Sequence, residues 1–276
     1  MSNIIYHYTN IETLSLILKK KTIRFNRLDK VDDLSEGDSF QKVNLSKFYF
    51  ISCWTEDSEE SIPLWKMYTN EMKGVRIGIP KDEIFPFVPI NFPEDHKPYV
   101  KGELRSPLPF ADIFGKEHYI FPNFMTEAQF YRKVEYDKNF VQLKNNAIKL
   151  EQTNDGKVSL NISDPTRIAS VKSPKWKFQK ESRFVLLIFP SFSDKGMVDK
   201  EWRENIPNYI LQSLINGEGP NLNFYDVTYN KEILKDMTVT LGPKCNEGEI
   251  ILVRSLLDKF APEATLSESE LSGSIR

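Results

Sequence analysis

The hydrophobic and polar positions along the chain predict many short strands with single helices between them. Apolar runs rich in aromatic and β-branched residues predict strands at 3–8, 23–25, 47–54, 74–79, 131–136, 166–171, 182–189 and 237–241. Apolar residues at helical spacing predict helices that begin near 11 and 63, and others at about 137–151, 202–215 and 249–260. Because the strands do not alternate regularly with helices, we expect an α+β fold with mixed or antiparallel sheets.

The domain organisation follows from where this pattern weakens. Residues 80–130 hold many of the 16 prolines and several aromatic residues, so they are predicted to form an irregular insertion. The Ser- and Glu-rich residues 261–276 are predicted to be a flexible tail. We therefore expect one α+β domain over residues 1–260, interrupted by the insertion and followed by the tail.

Composition and charge limit the classes of function. The chain has 276 residues with 37 Lys and Arg against 39 Asp and Glu, a net charge of −2. A nucleic-acid coat protein needs an excess of basic residues, so this class is excluded. Neither a secretion signal nor an apolar run of ~20 residues is visible, so we expect a cytoplasmic protein with no membrane partner. The two cysteines and three histidines have no metal-ligand spacing, so no metal is expected.

Common catalytic motifs are missing from the chain. It has no G-x-G-x-x-G after the first strand, no G-x-x-x-x-G-K-[ST] and no G-x-S-x-G. Dehydrogenases, P-loop enzymes and the common hydrolases are therefore not indicated.

Two polar groups lie in or beside predicted strands. His7 and Thr9 are two residues apart at the end of the first strand, so both side chains should face one side. Gln179, Glu181 and Arg183 have the same spacing at the start of the apolar run 184–189. Each group also has a structural interpretation: His7 and Thr9 would close a turn, the second group would form a cross-strand salt bridge, and Arg183 would pair with Glu36 or another loop acid.

A third feature is a pair of aromatic residues on the helix that begins near residue 63. Trp65 and Tyr68 are one helical turn apart, so they share a face. Such a pair usually packs in the core, and its alternative role is to line a binding site.

Taken together, the motifs resemble those of a large bacterial family. The chain contains Tyr-His-Tyr-Thr, Ser-Cys-Trp-Thr, Trp-Lys-Met-Tyr, Gly-Val-x-Ile-Gly and Trp-x-x-Gln-x-Glu-x-Arg. The family resembled is a domain of unknown function, and some members are linked with abortive infection or phage defence. The resemblance covers most of residues 4–257. The chain departs from it at Gln179, where members often carry Glu, and at 30–33, where members often carry Asn-Asp-Pro.

The order of these motifs is also similar, more distantly, to the ADP-ribosyltransferase superfamily. This resemblance implies a split-sheet core and NAD as substrate. It implies that His7 and Thr9 contact the adenosine-side ribose. It also implies that Arg24 or Arg183 contacts the pyrophosphate, which a guanidinium can bind with two hydrogen bonds.

The same resemblance implies roles around the reacting bond. Ser52 would support the floor of the site, and Tyr68 would stack on nicotinamide, with Trp65 as the substitute. Glu181 would bind the ribose 2′-hydroxyl and stabilise an oxocarbenium-like centre, as in glycoside cleavage. Gln179 would orient the acceptor nucleophile.

Three functions remain open from the sequence. The first is an NAD-dependent ADP-ribosyltransferase, a toxin-like effector of anti-phage defence that modifies a macromolecular acceptor, either nucleic acid or protein. An antitoxin or a phage-derived trigger would be its regulatory partner. The second is a non-catalytic module that senses a nucleotide or a phage component. The third is a metal-independent RNA-processing enzyme with His7 as base and Arg183 as phosphate ligand.

The charge distribution bears on these alternatives. Residues 131–183 hold twelve basic side chains against six acidic ones, and four of the lysines (172, 175, 177 and 180) precede Glu181. This stretch is interpreted either as solvated loop edges or as a local field that attracts a dinucleotide and a nucleic-acid acceptor.

Overall fold

A ten-stranded open sheet organises the computed structural model, which describes residues 3–37, 44–92, 103–152, 158–191 and 200–275. The sheet is of mixed orientation: its strand pairs are antiparallel, apart from one parallel pair at an edge. Helices pack around it, so the chain is a mixed α and β protein, as the spacing of apolar residues predicts.

The strands are β1 (Ile4–Thr9), β2 (Thr22–Arg27), β3 (Tyr49–Thr55), β4 (Val75–Pro80), β5 (Val88–Pro89), β6 (Arg105–Ser106), β7 (His118–Phe121), β8 (Tyr131–Lys133), β9 (Glu135–Tyr136), β10 (Ile148–Gln152), β11 (Val158–Ile162), β12 (Val171–Lys172), β13 (Glu181–Pro190), β14 (Phe224–Thr228), β15 (Thr238–Leu241) and β16 (Thr265–Glu268). The α-helices are α1 (Ile11–Lys20), α2 (Ile62–Tyr68), α3 (Lys81–Ile84), α4 (Phe110–Ile113), α5 (Glu127–Phe130), α6 (Phe140–Ala147), α7 (Lys200–Asn216) and α8 (Glu247–Phe260). Short 3-10 helices include Leu34–Gly37, Arg167–Ser170 and Pro174–Gln179. Among the described residues, no helix combines the length and the apolar character that a bilayer crossing needs.

The first helix illustrates why the local sequence folds as it does. The Asn10 side chain accepts a hydrogen bond from the Thr13 backbone N–H at 2.7 Å and so caps α1. Leu14, Ile17 and Leu18 are buried, which confirms the predicted apolar face. The helix ends where Lys21 adopts a left-handed conformation.

The sheet order is β14-β2-β3-β1-β4-β15-β16, and β13 pairs with β3, β7 and β8. Residues Glu181–Phe189 of β13 are all buried, which agrees with the central strand expected at 182–189. The core of the molecule lies on this strand and on its neighbour β3, and it extends over β2 and β4.

The edge of β3 that faces away from β13 is shared by two strands. Because β13 pairs along one edge of β3 from Tyr49 to Thr55, both β1 and β2 must pair along the other edge. Tyr6 of β1 lies opposite Thr55, and Asn26 of β2 lies opposite Ile51. The two strands therefore diverge beside Ser52–Trp54, and this divergence shapes the cavity described below.

Some predicted elements near the site are wrong. Gln179 is not on a strand with Glu181 and Arg183, because it ends the 3-10 helix Pro174–Gln179. Lys180 follows with φ 43°, and this left-handed residue turns the chain into β13. The strand expected at 166–171 is mostly the 3-10 helix Arg167–Ser170, and only its last residue belongs to β12.

Other element boundaries also differ. The helix expected at 137–151 is only Phe140–Ala147, and strand β10 follows it. The strand β14 at Phe224–Thr228 is not predicted from the sequence, although it pairs with β2 along its full length. The insertion at 80–130 contains β7, which pairs with β13, so this part belongs to the main sheet. Residues 93–102 of the insertion lie outside the described residues.

The segment predicted as a tail, residues 261–276, contains regular structure. Residues Thr265–Glu268 form β16, which pairs in parallel with β15. Glu270 then donates its backbone N–H to the Glu60 carboxylate at 2.9 Å, and Leu271 packs on a buried cluster near α2. The Ser- and Glu-rich composition gave no signal for this edge strand or for the apolar contact that follows it.

Candidate functional site

A cavity of about 300 Å³ opens where β1 and β2 diverge beside β3. Residues from α2, from the loop after β2, from β12 and from the start of β13 complete its walls. Of the residues predicted from the sequence, those that line it are His7, Arg24, Ser52, Tyr68, Gln179, Glu181 and Arg183.

Two predicted residues do not line the cavity. Thr9 is buried at the end of β1, where it pairs with Val75 of β4. Trp65 is 0% exposed, and its indole N–H donates to the Glu60 carboxylate at 2.8 Å. Its ring packs edge-on against Tyr8 at 4.9 Å. Trp65 is therefore a core residue, as the structural interpretation of this aromatic pair expects. Tyr68 lines the cavity.

Arg183 is fully engaged by protein groups. Its guanidinium has five N–H donors, and the structure gives five hydrogen bonds, to Glu181, Glu36 and the Ala169 carbonyl. The side chain is 1% exposed. The geometry thus favours the ion pair with Glu36 over a pyrophosphate contact for this residue.

Lys172 joins the same cluster from β12. Its ammonium donates to Gln179 Oε1 at 2.8 Å and to Glu181 Oε2 at 3.1 Å, and it lies 3.2 Å from Glu36 Oε1. We call Glu36, Lys172, Glu181 and Arg183 the charged cluster. Its two acids and two bases balance, which is the condition for burying them together.

The charged cluster determines the protonation of Glu181. Burial alone would raise the pKa of this carboxyl group, but the charges and hydrogen bonds of Arg183 and Lys172 outweigh burial and lower the pKa to about 2. Glu181 is therefore a carboxylate at neutral pH. It can stabilise positive charge, and it is a weak base.

Gln179 and Tyr68 form a chain of hydrogen bonds along the cavity wall. Gln179 Nε2 donates to the Tyr68 hydroxyl oxygen at 2.7 Å. Burial and the nearby charge of the Asp32 carboxylate raise the Tyr68 pKa. The phenol therefore stays protonated, with its ring on the cavity wall.

His7 presents a neutral imidazole to the cavity. Its Nδ1 lies 2.9 Å from the Cys53 carbonyl oxygen, which can only accept a hydrogen bond, so Nδ1 carries the proton. Burial lowers the pKa of His7, and the bond to Cys53 offsets part of this effect. The other nitrogen, Nε2, consequently has a free lone pair that can accept from a ligand hydroxyl.

Arg24 and Asn26 lie on the same face of β2 at the outer part of the cavity. Arg24 makes two hydrogen bonds to Asp226, at 2.9 and 3.2 Å, and its guanidinium lies 3.6 Å from the centre of the Phe224 ring. The pair with Asp226 uses Nε and one N–H of Nη2, so the Nη1 donors remain for a ligand. Lys30 adds a second cation to this part of the lining.

Ser52 lies in the wall formed by β3. The side chain is buried, and its hydroxyl oxygen accepts from the Trp54 indole N–H at 3.0 Å. The adjacent Cys53 also lines the cavity. Burial and the nearby Glu181 charge raise the Cys53 thiol pKa, so this cysteine is not an activated nucleophile.

Several lining residues were missed from the sequence. Lys172 stands in the basic stretch before Glu181, but only its burial in the fold identifies it as part of the site. Lys30 and Asp32 lie in the segment 30–33, where the chain departs from the resembled family. That departure was the available signal for this loop.

Residues 64–184 match the model of a family described as "Protein of unknown function (DUF2971)". The matched segment begins in α2 and ends in β13, so it includes Tyr68, Lys172, Gln179 and Glu181. His7 lies before it. The match agrees with the resemblance to a domain of unknown function. Comparison with curated proteins gave no significant match, and comparison with solved structures gave none either.

Proposed function

We propose that the chain is an ADP-ribosyltransferase that uses NAD as its substrate. The observation that carries this proposal is that His7, Tyr68 and Glu181 line one cavity, although they are far apart in the sequence. The reaction needs a group that holds a ribose, a ring that stacks on nicotinamide and a carboxylate beside the reacting carbon. These three side chains supply one of each.

Glu181 has the central chemical role in the proposed reaction. Loss of nicotinamide leaves positive charge on the ribose, as in other oxocarbenium-like transition states. A carboxylate with a pKa of about 2 is ionised and stabilises that charge. The bonds from Lys172 and Arg183 hold the carboxylate in place before the substrate binds.

His7 and Arg24 would hold the remainder of the dinucleotide. The lone pair on His7 Nε2 would accept from a ribose hydroxyl, and the Nη1 donors of Arg24 would bind a phosphate oxygen. Arg24 takes this role because the N–H groups of Arg183 are all used by Glu36, Glu181 and Ala169.

The arrangement of the sheet also supports the proposal. The divergence of β1 and β2 along β3 opens the cavity in a way that suits the split-sheet core of this superfamily. The acceptor is proposed to be a macromolecule, nucleic acid or protein, that reaches the exposed lysines beside Gln179. A toxin-like role in bacterial anti-phage defence, with an antitoxin or a phage-derived trigger as partner, belongs to the same proposal.

The test is release of nicotinamide from NAD by the purified protein, with and without nucleic-acid and protein acceptors. Glu181→Gln removes the negative charge at nearly constant shape and should lower the rate at least 100-fold. The matched control is Glu135→Gln, because Glu135 is an exposed acid on β9 that pairs with Arg167 outside the cavity. Absence of both turnover and an NAD-induced thermal shift in the wild type would refute the proposal.

A second function is favoured by one observation. Both oxygens of Glu181 already accept hydrogen bonds from Arg183 and Lys172. A carboxylate engaged in this way suits a rigid wall as well as a reactive group. The alternative is therefore a non-catalytic module that senses a nucleotide or a phage component in the same cavity.

One measurement separates the two functions. A rise in melting temperature with NAD or another nucleotide, without release of nicotinamide, would favour the sensing module. The third function, RNA processing with Arg183 as phosphate ligand, has no support from the geometry, because protein acceptors occupy the five donors of that guanidinium.

A further inference from the structure

Lys172 belongs to the charged cluster and also contacts Gln179, an uncharged residue of the cavity wall. Its side chain is 5% exposed, and its ammonium contacts Gln179, Glu181 and Glu36. Ion pairing to two acids accounts for its burial. It does not account for the bond to Gln179, which at 2.8 Å is the shortest of the three contacts.

The bond to Gln179 determines which way its amide group points. An ammonium group can only donate, so the atom of Gln179 that faces Lys172 must be the amide oxygen. The amide nitrogen then faces Tyr68, whose hydroxyl oxygen accepts from it. Gln179 is 5% exposed and lines the cavity, so its orientation decides whether the wall beside Glu181 offers a donor or an acceptor.

We propose that Lys172 is a positioning residue: it holds Gln179 with the amide N–H groups towards Tyr68 and the cavity, beside the Glu181 carboxylate. The wall then offers a ligand an N–H donor next to a carboxylate acceptor. Without Lys172, the amide can rotate by 180° and the pattern of donor and acceptor is lost. The proposal concerns the site of the proposed transferase, but its geometric part can be tested without any activity.

The variant that separates positioning from charge balance is Lys172→Met combined with Glu36→Gln. The charged cluster then keeps one acid, Glu181, and one base, Arg183, so its net charge stays at zero. If Lys172 only balances charge, the double variant should behave as the wild type does. If Lys172 positions Gln179, the double variant should fold and still lose the orientation of the amide.

The measurement is hydrogen exchange of the Gln179 side-chain amide, followed by ¹⁵N NMR and assigned with Gln179→Leu. We expect exchange at least tenfold faster in the double variant than in the wild type. Lys172→Arg keeps a charged donor at the position and should retain most of the protection. Lys144→Met is the matched control, because Lys144 is a buried lysine that does not line the cavity, and it should leave the exchange unchanged.

Equal protection of the Gln179 amide in the wild type and the double variant would overturn the proposal. If the double variant does not fold, Lys172→Arg decides alone: loss of protection there would also overturn it. NAD binding by calorimetry is a separate measurement, in which the double variant should bind at least tenfold more weakly than Lys144→Met. A wild type that binds no NAD would count against the proposed function, and the exchange comparison would still decide the role of Lys172.

Discussion

Two regions beside the cavity support it in different ways. The charged cluster of Glu36, Lys172, Glu181 and Arg183 brings together two acids and two bases from separate segments of the chain. The second region is an aromatic cluster, which we define as Tyr8, Leu64, Trp65 and Met72, with Leu271 and Ile275 of the tail packed on it.

The difference between them is how each region responds to loss of one member. In the charged cluster, removal of one partner leaves a buried charge without compensation, so the cost is large and specific to that partner. In the aromatic cluster, each residue contributes in proportion to the apolar area it buries, so losses are graded. The first region therefore determines the geometry of the site closely, and the second supports it through additive contacts.

The largest loss of stability is expected for Arg183→Met. It leaves Glu36 and Glu181 buried with only Lys172 to balance them, so we expect a loss of ~3–5 kcal/mol in the free energy of unfolding. Urea denaturation at pH 7 measures it. Arg167→Met is the matched control, because Arg167 pairs with Glu135 at a partly exposed position, and it should cost ~0–1 kcal/mol. Equal losses in the two variants would break the comparison.

Acid should destabilise the charged cluster through Glu181. Its pKa is lowered from 4.5 to about 2 in the folded chain. A lowered pKa stabilises the fold above the unfolded value, and this stabilisation is lost as the pH falls from about 4.5 towards 2. The contribution is on the order of 3 kcal/mol.

The corresponding experiment is urea unfolding between pH 2.5 and 6 for the wild type and Glu181→Gln. The variant starts from a lower stability at pH 6, and its stability should fall less steeply below pH 4.5 because it lacks this titrating group. If the free energy of unfolding falls equally steeply with decreasing pH in the two proteins, Glu181 is not an ionised member of the charged cluster.

Truncation of the tail should have an intermediate effect, on the aromatic cluster. A chain that stops after Glu268 loses the packing of Leu271 and Ile275 and the bonds from Ser269 and Glu270 to Glu60. We expect a loss of ~2 kcal/mol in the free energy of unfolding. The pair Leu271→Ala and Leu16→Ala isolates the apolar part, since Leu16 is 44% exposed on α1. An unchanged stability after truncation would mean that the tail contacts contribute nothing.

Tyr68→Phe should have the smallest effect. It removes the acceptor of the Gln179 N–H, so we expect a loss of ~1 kcal/mol. The ring remains, so any NAD-induced rise in melting temperature should persist in Tyr68→Phe and disappear in Tyr68→Ala. The control is Tyr6→Phe, because Tyr6 is on β1 and also lines the cavity. A loss above ~3 kcal/mol in the free energy of unfolding would show that the Tyr68 hydroxyl is as important for stability as a member of the charged cluster.

Much of the fold near the site was predictable because it depends on local signals. The β1 to α1 unit follows from an apolar run, the Asn10 cap and helical spacing, and β13 follows from a continuous apolar run. Gln179 was misplaced because period-two spacing looks the same whether or not a left-handed residue interrupts it, and Lys180 carries no glycine-like signal for one. The contacts of the tail with Glu60 and α2 were not predicted, because these partners are about 200 residues away in the sequence.

The sequence by itself determined the class of fold, the apolar strands and about half of the polar residues that line the cavity, since these depend on residue type and short-range spacing. The tertiary structure alone decided which of them act together. It placed the Trp65 side chain in the core, paired Arg183 with Glu36, and brought Lys172 into contact with Gln179 and Glu181. Ion pairs and hydrogen bonds between distant segments depend on where the register of the sheet places those segments. No local pattern in the chain encodes this placement.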